Sequence, residues 1–391
     1  MDWFWDVTKF WRLSRAPLDS VVLQLVGALG SDLVVRAGPD SVEAVVAFAA
    51  KRYAHTGLLA FVAHLANCRW RRDAAAFADR LSDGDQVPVI DGQTMQDRVV
   101  LITGAASGIG AATARAVAAH GGIPVLVDCD AQPLASVVST CGDRALSFVV
   151  DVSDLDAMQA MVDAVCGQLG RIDVVFANAG IAAFGPVSHV EPAAWWRCVE
   201  VNVKGVFNTV RTALPAIKAN RGYILINVSM SALAHAPVMS AYAASKSAIE
   251  AMGNAWRIEL AAHQVQVGLF YAGWVRTPLV EEGALHPAFV RLRATMPGLL
   301  NREVTADEAA TMLVAGMVAR KRSLWLPGWL RGLYAIRSLL HMPFAERALL
   351  NAAPEIEAFY LEGLASEGAL ASSFGPRERE RSAERRRQQT S

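Results

Sequence analysis

The run Val99-Val100-Leu101-Ile102 is apolar at every position. A strand with one wet face alternates apolar and polar residues, so this run is set to be covered on both faces. A glycine-rich turn follows at once, then helical spacing from Ile109 to His120. Further strand-like runs stand at 123–127, 145–150, 172–177, 223–228, 265–271 and 323–326, with helical stretches at 153–168, 195–219 and 241–263 between them. Apolar strands alternating with helices predict the α/β class, a doubly wound parallel sheet of about seven strands with helices on both faces. This core runs from 97 to 326.

The flanks read differently. Residues 1–96 look helical: Val42, Val45, Val46, Ala49 and Ala50 recur at helical spacing, as do Leu58, Leu59, Phe61, Val62 and Leu65. A polar stretch with Gly84, Pro88 and Gly92 joins this extension of unassigned role to the core. Residues 327–375 predict a second helical extension. Its first part, from Gly328 to His341, is basic and amphipathic, with Trp329, Leu330, Leu333, Ile336 and Leu340 near one face. Such a helix serves equally as an interfacial membrane contact, an oligomer contact or a lid. The tail 376–391 is rich in Arg and Glu and is expected to be solvated and disordered.

Composition narrows the classes. Apolar residues make up 53% of the 391-residue chain and charged residues 19%, enough to fill a large core. The formal net charge is zero, which argues against a nucleic-acid binder acting through global charge. Cys68, Cys129, Cys141, Cys166 and Cys198 form no C-x-x-C pair, so neither a disulfide framework nor a metal site is expected. The expected setting is reducing and cytoplasmic, at the inner face of a membrane if the 328–341 helix is interfacial.

Thr103-Gly104-Ala105-Ala106-Ser107-Gly108-Ile109-Gly110 lies between strand and helix. Glycines let a backbone approach a pyrophosphate, and a helix N-terminus offers N–H groups and a positive dipole. The G-x-x-x-G-x-G spacing differs from the general G-x-G-x-x-G fingerprint, and a plain tight turn is the competing reading. Asp128 stands 18 residues beyond Gly110, where a carboxylate accepts ribose hydroxyls and repels a 2′-phosphate. Cys129 follows it, and the turn carries no Arg or Lys before Gly108, so NAD is favoured over NADP. The alternative for Asp128 is a helix cap. Asp151 and Val152 either meet the adenine or only end a strand.

Tyr242 and Lys246, four residues apart, share one helix face. An ammonium beside a phenol lowers the phenol from about 10 toward working pH and fits it for proton exchange with an alcohol or ketone. Surface pairing on a helix is the other reading. Ser229 ends a strand, and Asn202 is a mid-helix Asn that needs a reason.

Taken together, TGAASGIG, Asp128, Asp151-Val152, Ala177-Asn178-Ala179-Gly180, Asn202, Ser229 and YAASK resemble the short-chain dehydrogenase/reductase family in order and spacing across the whole core. The resemblance implies a Rossmann-type sheet of order 3-2-1-4-5-6-7. It implies a tetrad of Asn202, Ser229, Tyr242 and Lys246. Tyr242 is then the general acid/base, Lys246 lowers its pKa and binds the nicotinamide ribose, Ser229 polarises the substrate oxygen, and Asn202 holds a relay water. Cofactor contacts are implied at Gly104, Ser107, Gly108, Ile109, Gly110, Asp128, Asp151, Val152, Asn178, Ala179, Gly180, Val275 and Thr277, besides Tyr242 and Lys246. Two positions depart from the family pattern. Ala177 stands for the first Asn of N-N-A-G, and Ala272-Gly273 for Pro-Gly.

By the same resemblance, 278–297 covers the substrate. Leu279, Val280, Leu285, Phe289, Val290, Leu292 and Met296 suggest a lipophilic alcohol or ketone, or simply pack on the core. The expected protein is an NAD-dependent oxidoreductase and a homo-oligomer. Its competitors are a non-catalytic NAD-binding regulator and a membrane-associated scaffold.

Overall fold

The computed structural model describes residues 94–391, apart from 297, 375–377 and 391, and two earlier strands. Those strands, β1 (Val22–Val26) and β2 (Asp32–Arg36), pair antiparallel. They belong to a separate unit, 1–80, and correct the all-helical expectation for the extension. The helical pattern at 42–68 lies outside the described residues.

In the second unit, seven parallel strands form one sheet: β3 (Val99–Thr103), β4 (Ile123–Asp128), β5 (Leu146–Val149), β6 (Val174–Ala177), β8 (Tyr223–Asn227), β9 (Gln266–Ala272) and β12 (Ser323–Leu326). Their spatial order is β12-β9-β8-β6-β3-β4-β5, which in core numbering is 3-2-1-4-5-6-7. β3, β6 and β8 are buried at every residue, as central strands covered on both faces must be. β5 sits at an edge and alternates between partly buried and exposed. One face packs on α3 (Leu155–Leu169), α5 (Gly205–Ala219) and α6 (Ser240–Glu259); the other packs on α1 (Gly108–Ala119), α2 (Ala131–Val138) and α9 (Ala306–Val318). Order reverses beside β3, which opens a crevice at the carboxyl ends of β3 and β6.

The helix expected at 195–219 is broken. α4 (Pro192–Val199) runs into a π-turn, Glu200–Lys204, and then into α5. Asn202 is the reason: its side chain turns inward and ties the turn to Ile181 and Ser245. A π-bulge re-aims one side chain without ending the helix.

The carboxyl-terminal extension builds on the core. The segment 328–341 is not one amphipathic helix but α10 (Leu330–Ala335) and a 3₁₀ turn, Arg337–His341. Leu330 is buried, and Trp329, Leu333 and Tyr334 pack on the main core. Tyr271 stacks on Trp325 at 4.0 Å, and both rings contact Tyr334. Part of the face that suggested a membrane therefore packs on the protein, while Ile336 stays 41% exposed, and no helix among the described residues is long and apolar enough to cross a membrane.

β7 (Ala182–Ala183), β10 (Trp274–Val275) and β11 (Glu303–Val304) are short. α7 (Pro278–Gly283) and α8 (Pro287–Ala294) form the segment over the carboxyl ends of β8 and β9. α11 (Pro343–Glu367) packs Ala352, Ile356 and Tyr360 against Phe184, Phe289 and Leu292, and Arg291 pairs with Glu355 at 2.5 Å. β13 (Ser373–Phe374) then adds antiparallel to β7. The tail corrects a second expectation: it forms α12 (Glu378–Thr390), with Arg381 paired to Asp130. Its composition signals solvation, but a specific ion pair and a buried Glu378 hold its first turn.

Candidate active site

The ends of β3, β6 and β8 are stitched by the amides of Asn178 and Asn227. Thr103 Oγ1 accepts the N–H groups of Asn178 (3.0 Å) and Ala179 (3.2 Å). Asn178 Nδ2 donates to the Thr103 carbonyl at 2.9 Å, and Asn227 Nδ2 donates to Asn178 Oδ1 at 2.8 Å. The retained Asn of the family's N-N-A-G pattern thus serves as a strut. Ala177, which replaces the first Asn, is a buried β6 residue.

This frame brings the Gly-rich turn against β6. Gly104 has φ +65°, and a Cβ there lies 2.8 Å from Ala179 Cα. A Cβ on Gly110 lies 2.0 Å from the Gly104 carbonyl oxygen. No side chain fits at either position, so the turn lies close against the strands while α1 starts at Gly108 with no side-chain cap from Ser107. The turn borders a cleft of about 380 Å³ that also reaches Ile109, Asp128, Asp151, Val152, Gly180, Val275, Thr277, Tyr242 and Lys246. Every residue expected to contact the cofactor lines this cleft except Gly110, which is buried against the Gly104 carbonyl. A concave wall of backbone, an uncapped helix start and a half-buried carboxylate fit a dinucleotide.

Asp128 accepts N–H bonds from Ala106 (3.0 Å) and Asp130 (3.1 Å). Burial raises its carboxyl above the usual range, and those bonds act against the rise. Asp151 accepts the Ser153 N–H at 2.9 Å and pairs with the Arg197 guanidinium. Burial pushes the Asp151 carboxyl up, but the Ser153 bonds and Arg197 outweigh it and leave it below the ordinary value. Arg197, Glu378 and Arg381 also border the cleft, and sequence reasoning missed all three. Arg197 sits beside two tryptophans with no motif to mark it. The other two fall in a tail whose composition reads as solvated.

At the other end, Ser229 caps a 3₁₀ turn through the Ser231 N–H (3.1 Å) and shares the cavity wall with the Tyr242 phenol. Lys246 is buried, donates to the Asn227 carbonyl at 2.7 Å, and lies 5.6 Å from the Tyr242 ring centroid. Asn202 approaches from the π-turn: a Cβ on Gly180 lies 3.2 Å from Asn202 Oδ1 and 3.6 Å from Lys246 Nζ. The four residues of the expected tetrad therefore meet. Asn202 spends its side chain on the Ile181 N–H and carbonyl and on Ser245, each at 2.9 Å.

One electrostatic expectation is reversed. Burial pushes the Tyr242 phenol up to about 12, against the pull of the nearby Ser229 hydroxyl, and burial brings Lys246 down to about 8. Removing water disfavours both charged forms, and it is the leading cause at each residue.

Beyond Tyr242 lies a smaller pocket of about 80 Å³, lined by Ala182, Met230, Met239, Trp274, Leu279, Val280 and Phe289 among others. Of the expected lid residues, Leu279, Val280 and Phe289 face it, Leu292 is core, and Leu285 and Val290 are exposed.

The family model for short chain dehydrogenases matches residues 98–287. The chain is 35% identical over 232 residues to a cis-4-hydroxycyclohexanecarboxylate dehydrogenase of Sinomonas cyclohexanicum, covering 57% of this chain and 92% of that one. It is 32% identical over 213 residues to a (−)-trans-carveol dehydrogenase of Rhodococcus erythropolis, covering 50% and 77%. The crystal structure of a short-chain dehydrogenase/reductase from Burkholderia phymatum in complex with NAD superposes with a TM-score of 0.57 at 25% identity, over 64% of this chain and 97% of that one. Sheet order, Gly-rich turn and relatives agree: the chain belongs to the short-chain dehydrogenase/reductase family and is an NAD(P)-dependent oxidoreductase of the alcohol dehydrogenase and ketoreductase kind.

Proposed function

We propose that this chain moves hydride between NAD(H) and the carbinol or carbonyl carbon of a lipophilic alcohol or ketone, with Tyr242 as the proton carrier. One observation carries the reading: Ser229 and Tyr242 border both the polar-ended cleft and the apolar pocket beyond it. A group on that shared wall touches a substrate oxygen and the reacting end of a cofactor at once.

Bound NAD supplies the carbon that accepts or gives hydride. The chain's residues handle the rest. Ser229 donates to the substrate oxygen and sets its distance from Tyr242. In the reducing direction the neutral phenol gives its proton to the nascent alkoxide; in the oxidising direction the phenolate takes the proton of the alcohol's hydroxyl. Lys246, held by the Asn227 carbonyl, supplies positive charge below the phenol and a donor for the nicotinamide ribose. Asn202 is a positioning residue that fixes the π-turn beside Lys246. In this reading Asp128, at the end of β4, accepts the ribose diol, which favours NAD over NADP.

The apolar pocket supports a lipophilic substrate, and two relatives named for alicyclic and terpenoid alcohols support the same class. Hydrophobic cyclic alcohols screened with NAD, followed by absorbance of the reduced cofactor, test it; turnover of none of them, with reduction of none of the matching ketones, defeats it. A regulator needs no proton carrier on a wall shared by two cavities. Packing of Trp329, Leu330 and Leu333 on the core takes support from the membrane-scaffold reading.

We also assign the outer face of α4, α5 and α6 to a second copy of the chain. Trp196 is 66% exposed and Phe207 45% exposed there, beside a groove that reaches Met252 and Trp256. Large exposed aromatics around one groove mark an association surface. Sedimentation of wild type and Trp196→Glu should show a dimer or larger form and its loss.

A further inference from the structure

The core supplies every group the proposed chemistry uses, yet the chain continues and returns to the cofactor cleft. After α11 it is tied down step by step. Ser372 is fully buried; its carbonyl accepts the Phe184 N–H at 3.0 Å, its hydroxyl accepts the Glu191 N–H at 3.0 Å, and Tyr360 Oη lies 2.7 Å from that hydroxyl. β13 pairs with β7, and the first turn of α12 then reaches the Asp128 end of the cleft. There Arg381 pairs with Asp130 at 2.5 Å, and Glu378, 2% exposed, borders the cavity within 3.4 Å of Arg381. These residues lie outside the 98–287 segment that the family model matches.

We propose that β13 and the first turn of α12 form a cofactor strap that closes over the adenosine half of NAD, with Glu378 and Arg381 as its contact residues. The inference rests on the NAD reading of the cleft. The strap reaches the cleft wall at Asp130, two residues beyond the carboxylate that docks the ribose. A carboxylate as buried as Glu378 at a cavity wall is suited to accept from an adenine amino or ribose hydroxyl group. The charge set fits the same ligand: Asp128, Asp130, Asp151 and Glu378 outnumber Arg197 and Arg381 at this end, which disfavours an added 2′-phosphate. The strap also shares Tyr360 and Ser372 with the α11 contacts around Phe289, so the chain that closes the cofactor end is anchored beside the substrate pocket.

The test compares full-length wild type, Arg381→Ala, Arg381→Lys and Glu378→Gln by calorimetric titration with NAD, ADP-ribose and nicotinamide mononucleotide. Thermal unfolding checks each fold. Arg381→Ala and Glu378→Gln should each weaken NAD and ADP-ribose by about tenfold, the worth of one charged hydrogen bond. Arg381→Lys should recover part of the loss, and nicotinamide mononucleotide should bind all four proteins alike. In wild type, ADP-ribose should slow tryptic cleavage within the Arg-rich tail and nicotinamide mononucleotide should not. Unchanged or tighter NAD binding in Arg381→Ala and Glu378→Gln overturns the strap, the tighter result marking an obstructing tail. Should wild type itself bind neither NAD nor ADP-ribose, the NAD reading fails first and the strap with it.

Discussion

Replacing Tyr242 by Phe removes a single oxygen from the wall between the two cavities. The ring stays, with its packing against both the main core and the cluster around Phe184. No cavity larger than a hydroxyl opens. Ser229 keeps the Ser231 N–H at 3.1 Å. At most one hydrogen bond of the phenol is lost, about 0.5–1.5 kcal/mol of stability, and for a core of about 230 residues that is a fall in Tm of roughly 1–6 °C. Turnover should suffer far more. A general acid/base contributes about 10²–10⁴-fold, equivalent to about 2.7–5.5 kcal/mol in the barrier. The cleft wall at the Gly-rich turn and Asp128 is untouched, so NAD affinity should hold. Initial rates at saturating NAD and substrate give the first quantity. Quenching of tryptophan fluorescence by NAD gives the second, and thermal unfolding the third. Turnover within a factor of a few of wild type refutes the mechanism. So does a loss of turnover matched by an equal loss of NAD affinity, because the oxygen then serves binding and not proton transfer.

Asp128→Ala should narrow the preference for NAD over NADP in kcat/KM, and a wild-type preference for NADP would falsify the reading of β4. Ketone reduction should fall as pH rises through about 8: the Tyr242 proton stays until about 12, whereas Lys246 gives up its charge near 8. Lys246→Arg, whatever its absolute rate, should lose that limb, and an unchanged limb assigns it to another group. Leu330→Ala should destabilise the protein by about 2–5 kcal/mol, since this residue is fully buried. Unaltered thermal stability together with altered binding to anionic vesicles would return the segment to a membrane role.

Local order and chemistry were legible in the linear chain because they depend on near neighbours. Val99–Thr103, the glycines after it and the Ile109 spacing lie within one strand–turn–helix unit, and their period and residue types carry its geometry. The YAASK spacing alone sets Tyr242 and Lys246 one turn apart. Asn202 announced itself as an anomaly, but its cause, a π-turn pinned to Ile181 and Ser245, involves residues 21 and 43 positions away. Arg197 reaches Asp151 across 46 positions and Arg381 reaches Asp130 across 251, and no local pattern encodes such partners. The same limit applies to the carboxyl-terminal extension. Amphipathic spacing says that a face is apolar, not what covers it; for Leu330 the cover is the protein's own core. Charge-rich composition says that a tail prefers water, not that one arginine meets an aspartate beside a cleft. The lowered phenol expected from Lys246 failed for a related reason. Spacing sets the distance between two charges, whereas the depth of burial, which governs their desolvation, comes from the whole fold packed around them.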